Sequence, residues 1–356
     1  MAKRGLTENE KHVLYGLVHN PILNDREQSE ILGVKVSTVT AIRRRLRRAD
    51  YFVTRRLPMM HRLGWEILAG GHARIDNAQG PPGASRLREV LKDRLPSLFH
   101  VTVSSDHLTF LAAAPNYTAL RQETDELRLI LDKAKLLGEG DVATTVFPMS
   151  LCVVPTFFDY SHSLALAFGL DERISFKPEY AKHGDVDLTR KETEVLKGLV
   201  RYPEMSDKAL AQKVKVSRQA VSKMRREFED EGVLRTVRIP NLRALGFELY
   251  VTSFAHFTPS ATVKARTEAI EKLLQIAPTF FLASSDQDAV LVGAARSYEQ
   301  FSNLRSTITK YHEDRGFLLG DPNTYLALTS NLDILRNCEF APLMGALTDR
   351  VARAPG

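Results

Sequence analysis

The feature that most restricts what this chain can fold into is an internal repeat. Leu6-Thr7 recurs as Leu188-Thr189, 182 residues on, and the register then holds without a gap. Glu10 meets Glu192, Val13-Leu14 meets Val195-Leu196, and Gly16-Leu17-Val18 meets Gly198-Leu199-Val200. Pro21, Asp25, Val34, Val39, Arg43 and Arg44 match Pro203, Asp207, Val216, Val221, Arg225 and Arg226. Pro58 and Leu63-Gly64 match Pro240 and Leu245-Gly246. Chance does not produce such a run, so whatever one copy builds, the other builds too.

In the second copy the repeat contains Ser206 to Gly232, a short helix, a turn and a second helix. Ser206 is a good N-cap, and Ala209, Leu210 and Val214 give the first helix an apolar stripe. Lys215-Val216-Ser217 forms the turn, and Ser217 caps a helix whose Val221, Met224 and Phe228 point inward. Arg218, Gln219, Ser222, Lys223 and Arg226 then face out, and these are side chains that reach base edges and phosphates. The same spacing also occurs in plain helical hairpins, but the twin at Asn24 to Asp50 makes this a pair. There Val39, Ile42 and Leu46 face inward, leaving Ser37, Thr40, Arg43, Arg44, Arg47 and Arg48 outside. Arg55 and Arg56 extend the basic patch into the next strand, an electrostatic footprint for phosphates, whereas a solvated helix face is the plainer reading of such a run.

A first helix precedes each helix-turn-helix, over 8–19 and 191–202, and a short strand follows it, over 51–56 and 233–238, which predicts winged-helix units. Downstream the period alternates between strand and helix. The second copy predicts strands over 247–257, 279–284, 289–295 and 324–328 with helices over 261–275 and 298–313. The first predicts strands over 65–75, 97–103, 108–114 and 142–147 with helices over 85–94 and 117–135. This βαββαβ order is ferredoxin-like. The predicted fold class is α+β, with two winged helix-turn-helix domains (1–62 and 188–244) alternating with two ferredoxin-like domains that carry terminal helices (63–171 and 245–356). Residues 172–187 read as a linker, helices are expected at 162–169 and 341–350, and Asp76 to Gly83 reads as an elongated turn.

With 356 residues there is room for several cores, and 49 basic against 43 acidic residues is only a mild excess, so the placement of charge matters more than its sum. Cys152 and Cys338 stand far apart without a metal-ligand pattern, which suits buried thiols in a reducing compartment. No apolar run is long enough to span a bilayer and the N-terminus lacks an apolar leader, so a cytoplasmic protein with no membrane association is expected.

The helix-turn-helix, then Gly232-Val233-Leu234, Ile239-Pro240-Asn241 and Leu245-Gly246-Phe247 leading into βαββαβ, resembles the leucine-responsive, or feast-famine, regulator family (Lrp/AsnC), here as a fused tandem. The family's glycine-x-aromatic-aspartate hairpin turn is echoed by Ser285-Asp286-Gln287-Asp288 before Ala289-Val290-Leu291-Val292, and by Ser104-Ser105-Asp106 before His107-Leu108-Thr109-Phe110. Neither turn has the family's glycine, and LTxxE opens each copy where the family has a run of aspartates. The resemblance implies ferredoxin-like domains that pair sheet to sheet and bind a small-molecule effector, such as an amino acid, near that turn. It makes Ser285, Asp286 and Asp288 the effector-binding candidates, with Ser105 and Asp106 as counterparts. Asp and Ser are also default turn formers, so a purely structural role competes.

The two recognition helices differ. Glu227, Glu229, Asp230 and Glu231 stand where the first copy has Arg45, Arg47, Arg48 and Ala49. Nonspecific grip is therefore expected from the first copy and base reading from the second. Trp65 aligns with Phe247 and is expected to pack the first strand. The ten histidines show no ligand spacing, so neither a metal nor a cofactor is expected. No nucleophile elbow or phosphate loop appears, so the expected protein is not an enzyme.

The expected function is a sequence-specific double-stranded DNA-binding transcription regulator, pseudo-dimeric within one chain, on an imperfect inverted repeat. The resemblance leaves room for a further homodimer. Two rival readings stay open: a regulator-like haem-pathway decarboxylase, for which His72, His100, His256 and nearby arginines are the resources, and an architectural chromatin protein.

Overall fold

The structure is a computed structural model that describes residues 5–76, 87–89, 91, 94–170, 184 and 186–345. The turn at 77–83, half of the predicted helix 85–94, nearly all of the linker and the helix end beyond Gly345 lie outside the described residues. The chain is α+β, and its described residues form two five-stranded antiparallel sheets and one two-stranded sheet.

The first copy opens with α1 (Glu8–His19), α2 (Asp25–Leu32) and α3 (Val36–Arg48), and the second with α6 (Arg190–Arg201), α7 (Asp207–Val214) and α8 (Arg218–Asp230). Thr7 with Glu10 and Thr189 with Glu192 form capping boxes, which satisfy otherwise unpaired N–H groups at both helix starts. Ser206 and Ser217 cap as expected, accepting from Ala209 N at 3.3 Å and Ala220 N at 3.1 Å. The turn after the second helix enters the left-handed region at φ 63° at Gly33 and 56° at Lys215. Close helix approach explains the repeated glycine: a Cβ on Gly198 would stand 2.9 Å from both Leu210 Cδ1 and Val214 Cγ1. Val39, Leu46, Val221 and Phe228 are buried, as their spacing requires.

Strands β1 (Phe52–Pro58) and β7 (Leu234–Pro240) follow these helices and pair with each other. The first large sheet runs β12-β3-β4-β2-β5, from β2 (Ile67–Arg74), β3 (Leu98–Val103), β4 (His107–Ala114), β5 (Ala143–Pro148) and β12 (Asp333–Arg336), with α4 (Tyr117–Lys133) between β4 and β5. The second runs β11-β8-β10-β9-β6, from β6 (Val153–Phe157), β8 (Leu249–His256), β9 (Thr279–Ser284), β10 (Asp288–Ala295) and β11 (Asn323–Leu328). Helix α9 (Val263–Ile276) and α10 (Tyr298–Glu313) belong with the second sheet, and α5 (Ser161–Phe168) follows β6. Trp65 and Phe247 are both buried, as expected for residues that pack the sheet entry.

Each sheet has one more strand than the βαββαβ order predicts. That fifth strand comes from the other copy. β6 lies beside β9, with Thr156 opposite Leu282, and β12 lies beside β3, with Ile334 opposite Thr102. An exposed edge strand is an aggregation hazard, and a borrowed strand covers it. The compact units follow this exchange. One comprises Met1–Thr54, Val153–Glu179 and Thr236–Ser330; the other comprises Arg55–Cys152, Tyr180–Arg235 and Asn331–Gly356. Matching aromatic stacks accompany it: Tyr160 on Phe280 at 4.3 Å in the first unit and Phe340 on Phe99 at 4.4 Å in the second. The residues two positions before the stacked Tyr160 and Phe340 are equally matched, since Phe158 and Cys338 both sit at positive φ, 54° and 53°.

Candidate nucleic-acid interface

Within the first unit, α3 keeps Ser37, Arg44, Arg47 and Arg48 exposed. Two of the expected outward residues are turned toward the protein instead. Arg43 pairs with Asp25 at 3.1 Å, and Thr40 donates its hydroxyl to the same carboxylate at 2.6 Å. Asp25 opens α2, so this clamp holds the two helices of the helix-turn-helix at a set angle. Arg238, from the second copy's strand, completes the group by donating to Leu17 O at 2.6 Å. Burial, then the charge of Arg43, lowers its pKa to about 10.

The second unit repeats the clamp with the copies reversed. Arg225 reaches Asp207 at 3.2 Å and Glu229 at 3.4 Å. Arg56, from the first copy, lies beside it, and burial followed by the Arg225 charge lowers its pKa. Its Nε and Nη1 have no hydrogen-bond partner among the described residues. Arg55 is also turned to protein, donating to Asn337 O at 3.0 Å. Both partly buried side chains thus have contacts within the protein beside the phosphate role expected of them.

On α8, Arg218, Gln219, Lys223 and Arg226 are exposed, and Ser222 is half-buried and accepts from Arg226 Nη2 at 3.5 Å. The acidic end of this helix is partly neutralised: Glu229 faces Arg225, and Lys223 meets Glu227 at 3.4 Å. The repulsion that the sequence suggests is therefore reduced at two of its four carboxylates. The Arg43 and Arg225 clamps were missed in the sequence because their partner carboxylates, Asp25 and Asp207, lie 18 residues upstream in each copy. Their matched positions in the repeat were the available signal.

The hairpin turns are closed by their own side chains. Ser285 Oγ accepts from Asp288 N at 3.1 Å, Asp288 Oδ1 meets His256 Nδ1 at 2.5 Å, and Asp286 pairs with Arg266. In the other copy, Asp106 Oδ1 accepts from Ser104 Oγ at 3.0 Å and meets His107 Nδ1 at 2.9 Å, while Ser105 is exposed. Burial works to raise the Asp106 carboxyl, but the Ser104 hydroxyl and His107 outweigh it and hold its pKa below the usual range.

His100 is enclosed in the first sheet, with the Cys338 sulfur 3.9 Å from its Nδ1, and burial lowers its pKa to about 3. Its counterpart in the second sheet is Phe281. A folded-state pKa below the unfolded value means that acid protonates the unfolded chain first. The stabilisation is complete above the unfolded pKa and is lost as pH falls from there toward 3. Between pH 6.5 and 4 the loss is expected to be about 3 kcal/mol by linkage. Urea titrations of wild type and His100→Phe across that range would measure it; parallel curves would sink the assignment. His72 is half-buried, with its pKa lowered by burial and then by His107. Both cysteines are free and buried, and burial pushes the Cys152 thiol up to about 12. Among the described residues no group of three or more His, Cys, Asp or Glu could hold a metal ion, and no helix is long and apolar enough to cross a membrane.

No protein-family profile matches the chain, and no curated protein matches it in sequence. Solved structures do match. The siroheme decarboxylase NirDL aligns with 97% of this chain and 100% of its own, with a TM-score of 0.50 and 11% identity. The shared fold runs from end to end. An AsnC family transcriptional regulator from Agrobacterium tumefaciens matches 39% of this chain and 90% of its own, at 16% identity and a TM-score of 0.32. A transcriptional regulator from Neisseria meningitidis, solved with L-Met, matches 40% of this chain and 90% of its own, at 16% identity and a TM-score of 0.32. The expectation that this chain is not an enzyme is corrected by the first of these: an architecture that covers the chain throughout also carries a decarboxylase. Absence of a familiar catalytic motif was a poor guide because fold and chemistry are separable.

Proposed function

We propose that the chain is a sequence-specific, double-stranded DNA-binding transcription regulator. In this reading two winged helix-turn-helix units and two ferredoxin-like domains form a pseudo-dimer within one chain. The carrying observation is the repeated clamp: Asp25 with Arg43 and Asp207 with Arg225 lock both helix pairs, and each locked α3 or α8 presents other basic side chains to solvent. Phosphates would be held chiefly by Arg44, Arg47 and Arg48, and bases read by Arg218, Gln219, Lys223 and Arg226. Joining both readers in one chain makes the second contact intramolecular. An effector at either hairpin turn would have to compete with the bonds that close it.

Selection of bound sequences from a random duplex pool tests this, with wild type, Arg44→Ala and Arg226→Ala. An imperfect inverted repeat is expected for wild type, with half-sites about one helical turn apart or a multiple. Arg44→Ala should weaken binding uniformly and Arg226→Ala should relax one half-site. Enrichment of no sequence, with unbroken protection along any duplex, would replace this reading with an architectural one.

A second reading, a tetrapyrrole decarboxylase, takes its chemistry from the name of NirDL and rests on shared fold alone. Of the three histidines that it would draw on, His100 is enclosed, His256 is exposed but paired with Asp288, and His72 is half-buried. Absorbance titration with an iron porphyrin, followed by assay for released carbon dioxide, separates it from the first reading.

A further inference from the structure

The two sheets are built alike but filled differently. In the first, Gly71 of β2 faces Phe110 of β4, and a Cβ on Gly71 would collide with the Phe110 ring and stand 2.6 Å from Ala143 O. The ring uses the room that glycine leaves. Helix α4 then seals the space with Leu120, Leu127, Ile130 and Leu131, all buried. At the same register of the second sheet, Ser253 of β8 faces Leu291 of β10. The smaller Leu291 does not fill what Phe110 fills, and α10 buries none of its residues. Counted from their N-caps, Asn116 and Ser297, α10 has Arg305 where α4 has Thr124 and His312 where α4 has Leu131.

The result is a pair of adjoining hollows of about 120 and 100 Å³ between α9, α10 and the sheet, sharing Ser253, Leu273, Leu291, Ile308 and Pro322 as walls. Arg305 stands at the larger; His312, whose Nδ1 is buried without a hydrogen-bond partner among the described residues, lines the smaller. Arg305 is half exposed and meets Asp321 only at 3.9 Å. An apolar hollow does not hold water well, and one of about 150 Å³ takes a benzene ring. A cationic group at the edge of a dry space selects a ligand with an anionic head.

We propose that this cleft in the second copy binds an apolar monocarboxylic acid, its roughly six to ten carbons in the joined hollows and its carboxylate on Arg305. The larger hollow, with Arg305, includes no hairpin-turn residue, whereas the smaller is lined also by Arg266, whose guanidinium is taken by Asp286 of the second turn. This site does not rest on the DNA reading, and its test contains no DNA.

The test is calorimetric titration of the full chain with hexanoate, octanoate and phenylacetate, with octanol and octylamine as head-group controls. Saturable binding of one octanoate per chain is expected, with a negative heat-capacity change from apolar burial. Leu291→Phe with Ser253→Gly rebuilds the first copy's packing and should abolish binding while raising the melting temperature. Arg305→Thr, also the first copy's residue type, should weaken octanoate about tenfold, the loss of one charge-assisted contact, and leave octanol unchanged. Absence of saturable binding overturns the proposal, as does octanoate binding that survives the refilled cleft. Should the refilled variant not fold, the surface substitution Arg305→Thr decides: equal octanoate affinity in it and in wild type overturns the carboxylate assignment.

Discussion

Replacing Arg336 with methionine is expected to destabilise the protein by about 3–5 kcal/mol, the cost of leaving several buried carbonyls without their donor. Its guanidinium is buried and donates to the carbonyls of Leu95 at 2.6 Å, Leu98 at 2.7 Å, Arg94 at 2.7 Å and Leu91. Leu98 begins β3, and the bonds to Leu91, Leu95 and Leu98 are buried. Each buried acceptor left without a donor costs about 1–3 kcal/mol. Methionine keeps most of the volume, so the loss reports hydrogen bonding more than packing. Lysine should not rescue, because one ammonium cannot span four acceptors set for a planar fork. Denaturant unfolding reads the effect, and a variant within about 1 kcal/mol of wild type would sink it.

Substituting Arg44, Arg47 and Arg48 together with glutamine is expected to lower the salt slope of duplex binding by roughly 2–3, since each phosphate contact contributes about 0.9. The corresponding positions of the second copy are Arg226, Glu229 and Asp230, of which only Arg226 is basic. Replacing that single arginine should change the slope by about one or less and alter preference at a half-site. Fluorescence anisotropy over a range of salt concentrations measures both. Equal slopes for wild type and the triple variant would remove the first recognition helix from the interface.

Much of this architecture was legible in the residues. Ser206 and Ser217 announce their helices because a hydroxyl at the N-cap is a local device. The hairpins were legible because alternation changes at Ser284 and Ala289 within a few residues of a polar turn. The borrowed strands were not. β6 is five residues long and contains Pro155, and it pairs with residues more than a hundred positions away, so nothing local distinguishes it from a loop. The same distance hid the destinations of Arg55 and Arg56, which read as solvent-facing until Asn337 and Arg225 come beside them. The cleft was hidden for another reason: it depends on a missing ring at Leu291, visible only when Gly71 and Phe110 are set opposite each other in the first sheet.

The borrowed strands also bear on how the duplication can be undone. Because β9 is covered by residues 153–157 and β3 by residues 333–336, either half of the chain produced alone would leave its sheet open along one side. Two half-chains mixed together could close each other's sheets, but a solitary half has only another copy of itself to recruit. Once the exchange was in place, separation into independent genes would have required both products at matched levels. Fusion thereby becomes a ratchet, and the two copies are free to drift apart in charge and packing while remaining bound to be made together.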